Sequence, residues 1–246
     1  MFLLPGDHWI VKNTKKKGRG IYTQRDIEGG TVIGDYLGKV IKPSDENDID
    51  ESKNFYLMYY HDRASIFPDL TKPGIHLFNN SCTPNCWMYT YRGHTLYFAL
   101  RHIFAGEELT VSYLVSPQDK YCNPCTHLCK CDSILCTQTM HLSEKRYKEW
   151  AKIHDEQAKK TKREPIKFGT DLPPLSSYPK NITDHPIYTL YGALHKEAYD
   201  VDGKKMPSVF EIRKLIRKTG RTLKFKALNL HVLGILDYLI ISEPIT

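Results

Sequence analysis

Seven cysteines lie unevenly along this 246-residue chain, and five of them crowd into Cys122–Cys136. That stretch, Tyr121-Cys122-Asn123-Pro124-Cys125-Thr126-His127-Leu128-Cys129-Lys130-Cys131-Asp132-Ser133-Ile134-Leu135-Cys136, is too polar and turn-rich to fold on its own apolar area. Clustered thiols, odd in number, suit a metal better than a dispersed disulfide framework. Tetrahedral zinc held by four thiolates would supply the missing stability. One assignment open to the sequence is a local set, Cys122 and Cys125 with Cys131 and Cys136. His127 reads as a solvated loop histidine and Cys86 as buried packing.

Two other segments carry chemistry-bearing residues at close spacing. One is Asn79-Asn80-Ser81-Cys82-Thr83-Pro84-Asn85-Cys86, the other Gly106-Glu107-Glu108-Leu109-Thr110-Val111-Ser112-Tyr113. Asn and Ser side chains compete for backbone hydrogen bonds and Pro84 removes a donor. The first segment is therefore expected to be tight, irregular and held by side-chain-to-backbone bonds, not a strand or helix interior. Further upstream, Lys15-Lys16-Lys17-Gly18-Arg19-Gly20 forms a turn. Its glycines permit close approach of main chain to the polar end of a ligand.

These segments, in this order and at this spacing, resemble the signature of SET-domain protein-lysine methyltransferases, usually written RFxNHSCxPN and GEELTxDY and preceded by a KGxG turn. The resemblance covers residues 8 to 141. It implies a pseudoknot of the two signature segments and S-adenosylmethionine as methyl donor, contacted by Lys17, Gly18, Arg19, Gly20, Asn79, Asn80 and Tyr113. It implies Tyr113 as catalytic tyrosine, with Tyr36 of Asp35-Tyr36-Leu37-Gly38 lining the lysine channel. Val111 stands where the family often has an aromatic residue that limits methylation number. The Cys129-x-Cys131-x4-Cys136 run resembles the post-SET motif, which implies zinc held by Cys82, Cys129, Cys131 and Cys136. Among the departures from the pattern, His76 replaces Arg and Asn80 replaces His, changes expected to act on cofactor affinity.

The elements that must position these residues are short. Residues 8 to 41 alternate apolar and polar around two glycine turns, and Phe55–Tyr60 and Thr95–Leu100 read as strands. From Ser143, a helix cap, the period becomes helical, with Tyr147, Trp150, Ala151, His154 and Ala158 on one face. Residues 164 to 186 carry five prolines and read as an extended connector. Helical patterns follow over 187–199, 209–218 and 225–241. The layout expected is a mainly β SET domain (8–115) of short curved sheets around a knotted core, a post-SET-like zinc segment (122–141), a helix and proline-rich linker (143–186), and an α-helical module (187–246).

Composition is that of a globular protein, 41% hydrophobic and 26% charged. The N-terminus lacks the pattern of a signal peptide, and no stretch reaches the roughly 20 apolar residues that span a membrane. A soluble intracellular protein, cytoplasmic or nuclear, is expected. The net charge of +7 suits an acidic partner as well as plain solubility. The expected function is methyl transfer to a lysine of a chromatin-like or ribosomal protein. The alternatives are a non-catalytic SET-like binding module and a zinc-dependent nucleic-acid-binding protein.

Overall fold

Short strands separated by glycine turns build several small sheets in place of one large one. The structure is a computed structural model that describes residues 1–42, 44–45, 56–61, 64–131, 133, 136–160 and 167–191. In chain order the strands are β1 (Trp9–Asn13), β2 (Arg19–Thr23), β3 (Val32–Asp35), β4 (Lys39–Ile41), β5 (Met58–His61), β6 (Ala64–Phe67), β7 (Asn79–Asn80), β8 (Cys86–Tyr91), β9 (His94–Ala99) and β10 (Thr110–Val111). Helix α1 spans Glu144–Lys160 and α2 spans Pro186–Tyr191. β1 pairs antiparallel with β2, the order β4-β6-β5 forms a second sheet, and β3-β9-β8 forms a third.

The turn between β1 and β2 holds the lysine-rich segment. Thr14 organises it: its amide donates to the Gly18 carbonyl at 2.7 Å, and its hydroxyl accepts the Lys17 amide at 2.8 Å. Gly18 sits at φ +73°, a left-handed conformation that costs a side-chain-bearing residue energy. The β8–β9 hairpin turns through Arg92 and Gly93, both at positive φ, which matches the twist of the flanking strands.

The β3-β9-β8 sheet is buried on both faces, with period-two alternation along β8 and β9 and a register shift in β3 between Val32 and Gly34. Ile33, Tyr97, Ala99 and Cys86 face the main core, where they meet Ile21, Ile75, Phe78 and Leu109. Val32, Trp87, Tyr89, Leu96 and Phe98 face the other way and are covered by Ile182, Ile187 and Tyr188. Each such large side chain removed from water contributes about 1.5–3 kcal/mol. The proline-rich segment is therefore extended, as its composition suggests, but docked. Gly169 and Leu172 donate to the carbonyls of Val40 and Gly38, and Val32 donates to that of Lys180.

Ser143 does cap α1, accepting the Arg146 amide at 3.3 Å, and Tyr147 and Trp150 pack inward from it. Of the expected C-terminal helices, α2 covers the start of the first. The rest of 187–199, together with 209–218 and 225–241, lies outside the described residues.

Candidate functional site

The two signature segments meet as a parallel pair. β7 lies beside β10 with Asn79 opposite Thr110 and Asn80 opposite Val111. This corrects the expectation that no strand would form there. The backbone of the two asparagines pairs while their side chains reach sideways to other elements. Beyond them the segment is irregular and held as expected. Asn85 Nδ2 donates to the Glu108 carbonyl at 2.9 Å, and Asn85 Oδ1 accepts the Thr110 amide at 2.9 Å. The two segments are thus bound together by backbone pairing and by the Asn85 side chain.

The adjacent acids of the second segment go opposite ways. Glu107 is 1% exposed and takes a bidentate pair of bonds from Arg101, at 3.0 and 2.7 Å. Glu108 faces the β1–β2 turn, where it accepts Lys17 Nζ at 2.6 Å and Asn79 Nδ2 at 2.8 Å. Asn79 Nδ2 also donates to the Arg19 carbonyl at 3.1 Å. Gly20 lies against this cluster; an added Cβ would stand 2.7 Å from both Asn79 Nδ2 and Glu108 Oε1. Sequence reasoning missed Glu108 as the hub of the expected cofactor residues. The doubled acid was its only signal.

Asn80 and Tyr113 form the other half of the site. The Tyr113 amide donates to Asn80 Oδ1 at 3.0 Å, and the Tyr113 hydroxyl donates to the Phe78 carbonyl at 3.1 Å. The Tyr36 hydroxyl donates to the Tyr56 carbonyl at 2.6 Å. Burial pushes the pKa values of the Tyr113 and Tyr36 hydroxyls well above the ordinary phenol range, with nearby tyrosine hydroxyls adding to it. Both hydroxyls therefore stay protonated at neutral pH. Val111 is buried in the main core beside them. His76 is also buried, its ring edge-on to Tyr56 at 5.8 Å between centroids, and burial lowers its pKa to about 4.

The thiols divide into two groups. The sulfurs of Cys82, Cys129, Cys131 and Cys136 lie within 4.8 Å of one another. Cys82 Sγ is 3.5 Å from Cys129 Sγ and 3.9 Å from Cys136 Sγ, close to the separation of about 3.8 Å that zinc–sulfur bonds of about 2.3 Å give in a tetrahedron. Hydrogen bonds from Cys129 and Cys82 pull the Cys131 thiol far down, while Cys82 and Cys129 are pushed up. A divalent cation bound among the four sulfurs would favour their thiolate forms. The local alternative is not the grouping seen, because Cys122 and Cys125 stand instead with His127 and His141. His127 is a half-buried loop histidine beside Cys122 and His141, and Cys86 is fully buried in the core.

Residues 18–114 match the family model for the SET domain, and the chain carries a SET domain. It is 35% identical over 127 residues, 47% of this chain and 18% of the other, to "Histone-lysine N-methyltransferase, H3 lysine-36 specific" of Eremothecium gossypii. To the protein of the same description from Chaetomium globosum it is 36% identical over 129 residues, 46% of this chain and 14% of the other. To "Histone-lysine N-methyltransferase trithorax" of Drosophila virilis it is 28% identical over 133 residues, 50% of this chain and 3% of the other. The chain thus spans less than a fifth of the length of these relatives.

Proposed function

We propose that this chain is an S-adenosylmethionine-dependent protein-lysine N-methyltransferase, with its SET domain over 8–115 and a zinc segment over 122–141. The observation that carries the reading is the half-buried Tyr113, its amide bonded to Asn80 and its hydroxyl to the Phe78 carbonyl. The donor set suits the methyl donor. Lys17 and Arg19 offer cations to a carboxylate, Glu108 an anion to an ammonium, and Gly18 an uncovered main chain with nothing within 4 Å of an added Cβ. With Gly20, Asn79, Asn80 and Tyr113, these residues would hold it, and when bound it supplies an electrophilic sulfonium methyl group.

The chain's own part is positioning. The Tyr113 proton is committed to the Phe78 carbonyl, so lone pairs of its oxygen remain to accept an amine N–H or a polarised methyl C–H. Neither Tyr113 nor Tyr36 is ionised at neutral pH, so neither acts as a general base. The substrate lysine must lose its proton to solvent as it enters. Desolvation among Tyr36, Tyr56 and Tyr113 favours its neutral form. Holding the amine in line accounts for a large part of the acceleration, on the order of 7–11 kcal/mol in favourable cases.

Zinc on Cys82, Cys129, Cys131 and Cys136 would clamp the segment after the domain onto the first signature segment. The relatives described as acting on histone H3 lysine 36 favour a lysine-containing chromatin protein as substrate, and hence action in a nucleus. The test is transfer of labelled methyl to nucleosomes, free histones and ribosomal proteins, with the modified residue mapped by mass spectrometry. Label on lysine supports the reading. Zinc-loaded, cofactor-binding protein that labels none of these substrates overturns it.

A further inference from the structure

From Ser116 onward the segment has little hydrophobic reason to hold its shape. Leu114 still packs against the core, but no residue from 116 to 130 is buried, and Tyr121 is 80% exposed and Leu128 58% exposed. What turns inward instead is Cys122, Cys125 and His127, and they converge on His141, which is buried. Cys122 Sγ lies 3.4 Å from His127 Nδ1 and 3.4 Å from His141 Nε2, and Cys125 Sγ lies 3.4 Å from the same Nε2. All four ligand atoms are within 4.8 Å of one another. Tetrahedral zinc with zinc–sulfur bonds of about 2.3 Å and zinc–nitrogen bonds of about 2.0–2.1 Å requires sulfur–nitrogen separations of about 3.6 Å.

The surroundings of His141 select the tautomer of its neutral ring. Its Nδ1 is 2.6 Å from the Ser116 carbonyl oxygen. A carbonyl only accepts, so Nδ1 carries the hydrogen and Nε2 presents its lone pair to the two sulfurs. This carbonyl-to-imidazole bond is the arrangement that orients histidines ligating a metal.

From this convergence we infer that Cys122, Cys125, His127 and His141 form a second zinc site, separate from the four-cysteine group. The two sites are joined by one ribbon. Leu128 bridges Thr139, the Cys129 amide donates to Gln138, and the Met140 amide donates to the His127 carbonyl. His127 and Cys129 therefore leave one strand of the ribbon toward different metals, and Cys136 and His141 flank the other. The second metal ties residues 116–127, which begin three residues after Tyr113, to the ribbon that carries the first. Two thiolates with two imidazoles in a tetrahedron favour zinc over harder cations. This site does not depend on the methyl-transfer reading.

The test is a metal count on the full chain, purified under reducing conditions and dialysed. Two zinc ions per chain are expected, falling to one in Cys122→Ser/Cys125→Ser and in His127→Ala. Cobalt substitution of the unmutated chain gives a second readout that no folding defect can confound. Two cobalt ions should bind, one with the ligand-field spectrum of a tetrathiolate site and one with that of a mixed sulfur–nitrogen site. One zinc per chain with a tetrathiolate cobalt spectrum alone, or a zinc count untouched by either variant, overturns the inference. So does mass spectrometry finding Cys122 and Cys125 joined as a disulfide in the reduced preparation.

Discussion

Asn80 joins Tyr113 to the cysteine cluster: its Nδ2 donates to Cys129 Sγ at 3.3 Å while its Oδ1 accepts the Tyr113 amide at 3.0 Å. An amide serves both ends because one of its atoms donates and the other accepts. The asparagine that departs from the histidine of the family signature thus links the expected catalytic tyrosine to a thiol of the four-cysteine group. The account predicts that Asn80→Asp, which keeps the acceptor but faces a carboxylate toward Cys129, loosens zinc at this site. Competition with a chelator should show roughly 10–100-fold weaker retention.

Gly20 is required by contact and not by backbone conformation. In Gly20→Ala the added methyl meets Asn79 Nδ2 and Glu108 Oε1 at 2.7 Å. A loss of about 1–3 kcal/mol in stability is expected from overpacking. Denaturant unfolding should register it, together with weaker S-adenosylmethionine binding measured by calorimetry.

Glu107 is buried and held at both oxygens by Arg101, with Asn85 Nδ2 at 3.3 Å and the Phe104 amide at 2.9 Å completing its partners. Truncation to Ala leaves the guanidinium poorly paired, so Glu107→Ala should destabilise by about 3–5 kcal/mol. The midpoint of urea unfolding is the measurement.

His76 gives the fold an acid sensitivity. Its folded pKa is about 4, below the ordinary value of 6.5, because burial disfavours the charged ring. The unfolded chain therefore binds the proton first. Stability attributable to His76 is fully present above pH 6.5 and declines as pH falls toward 4. Comparing wild type with His76→Gln across pH 4–7 isolates this effect from acid release of zinc. The wild type should lose up to roughly 3 kcal/mol more than the variant over that window.

The hairpin of β1 and β2, strand β9 and the cap at Ser143 were legible because period-two alternation, glycine turns and a capping serine act over a few residues. The two signature segments were legible as a pattern, but their pairing was not. Asn79 and Asn80 look unfit for a strand, and only the distant Thr110–Val111 provides their partner. The docking of residues 167–182 depends likewise on carbonyls at Gly30, Gly38 and Val40. Proline content says extended, and says nothing of what the segment lies against. Five clustered cysteines announced metal, yet the division into two groups turns on His141, which stands outside the cysteine run and reads locally as one histidine among eleven.

The central claim rests on Tyr113, and the most direct measurement is the rate of labelled methyl transfer to lysine by zinc-loaded wild type and Tyr113→Phe, with cofactor affinity measured in parallel. Removing one preorganised hydroxyl aimed at the reacting atoms should slow transfer about 100-fold or more, with S-adenosylmethionine still bound. Transfer by Tyr113→Phe at the wild-type rate would contradict the account.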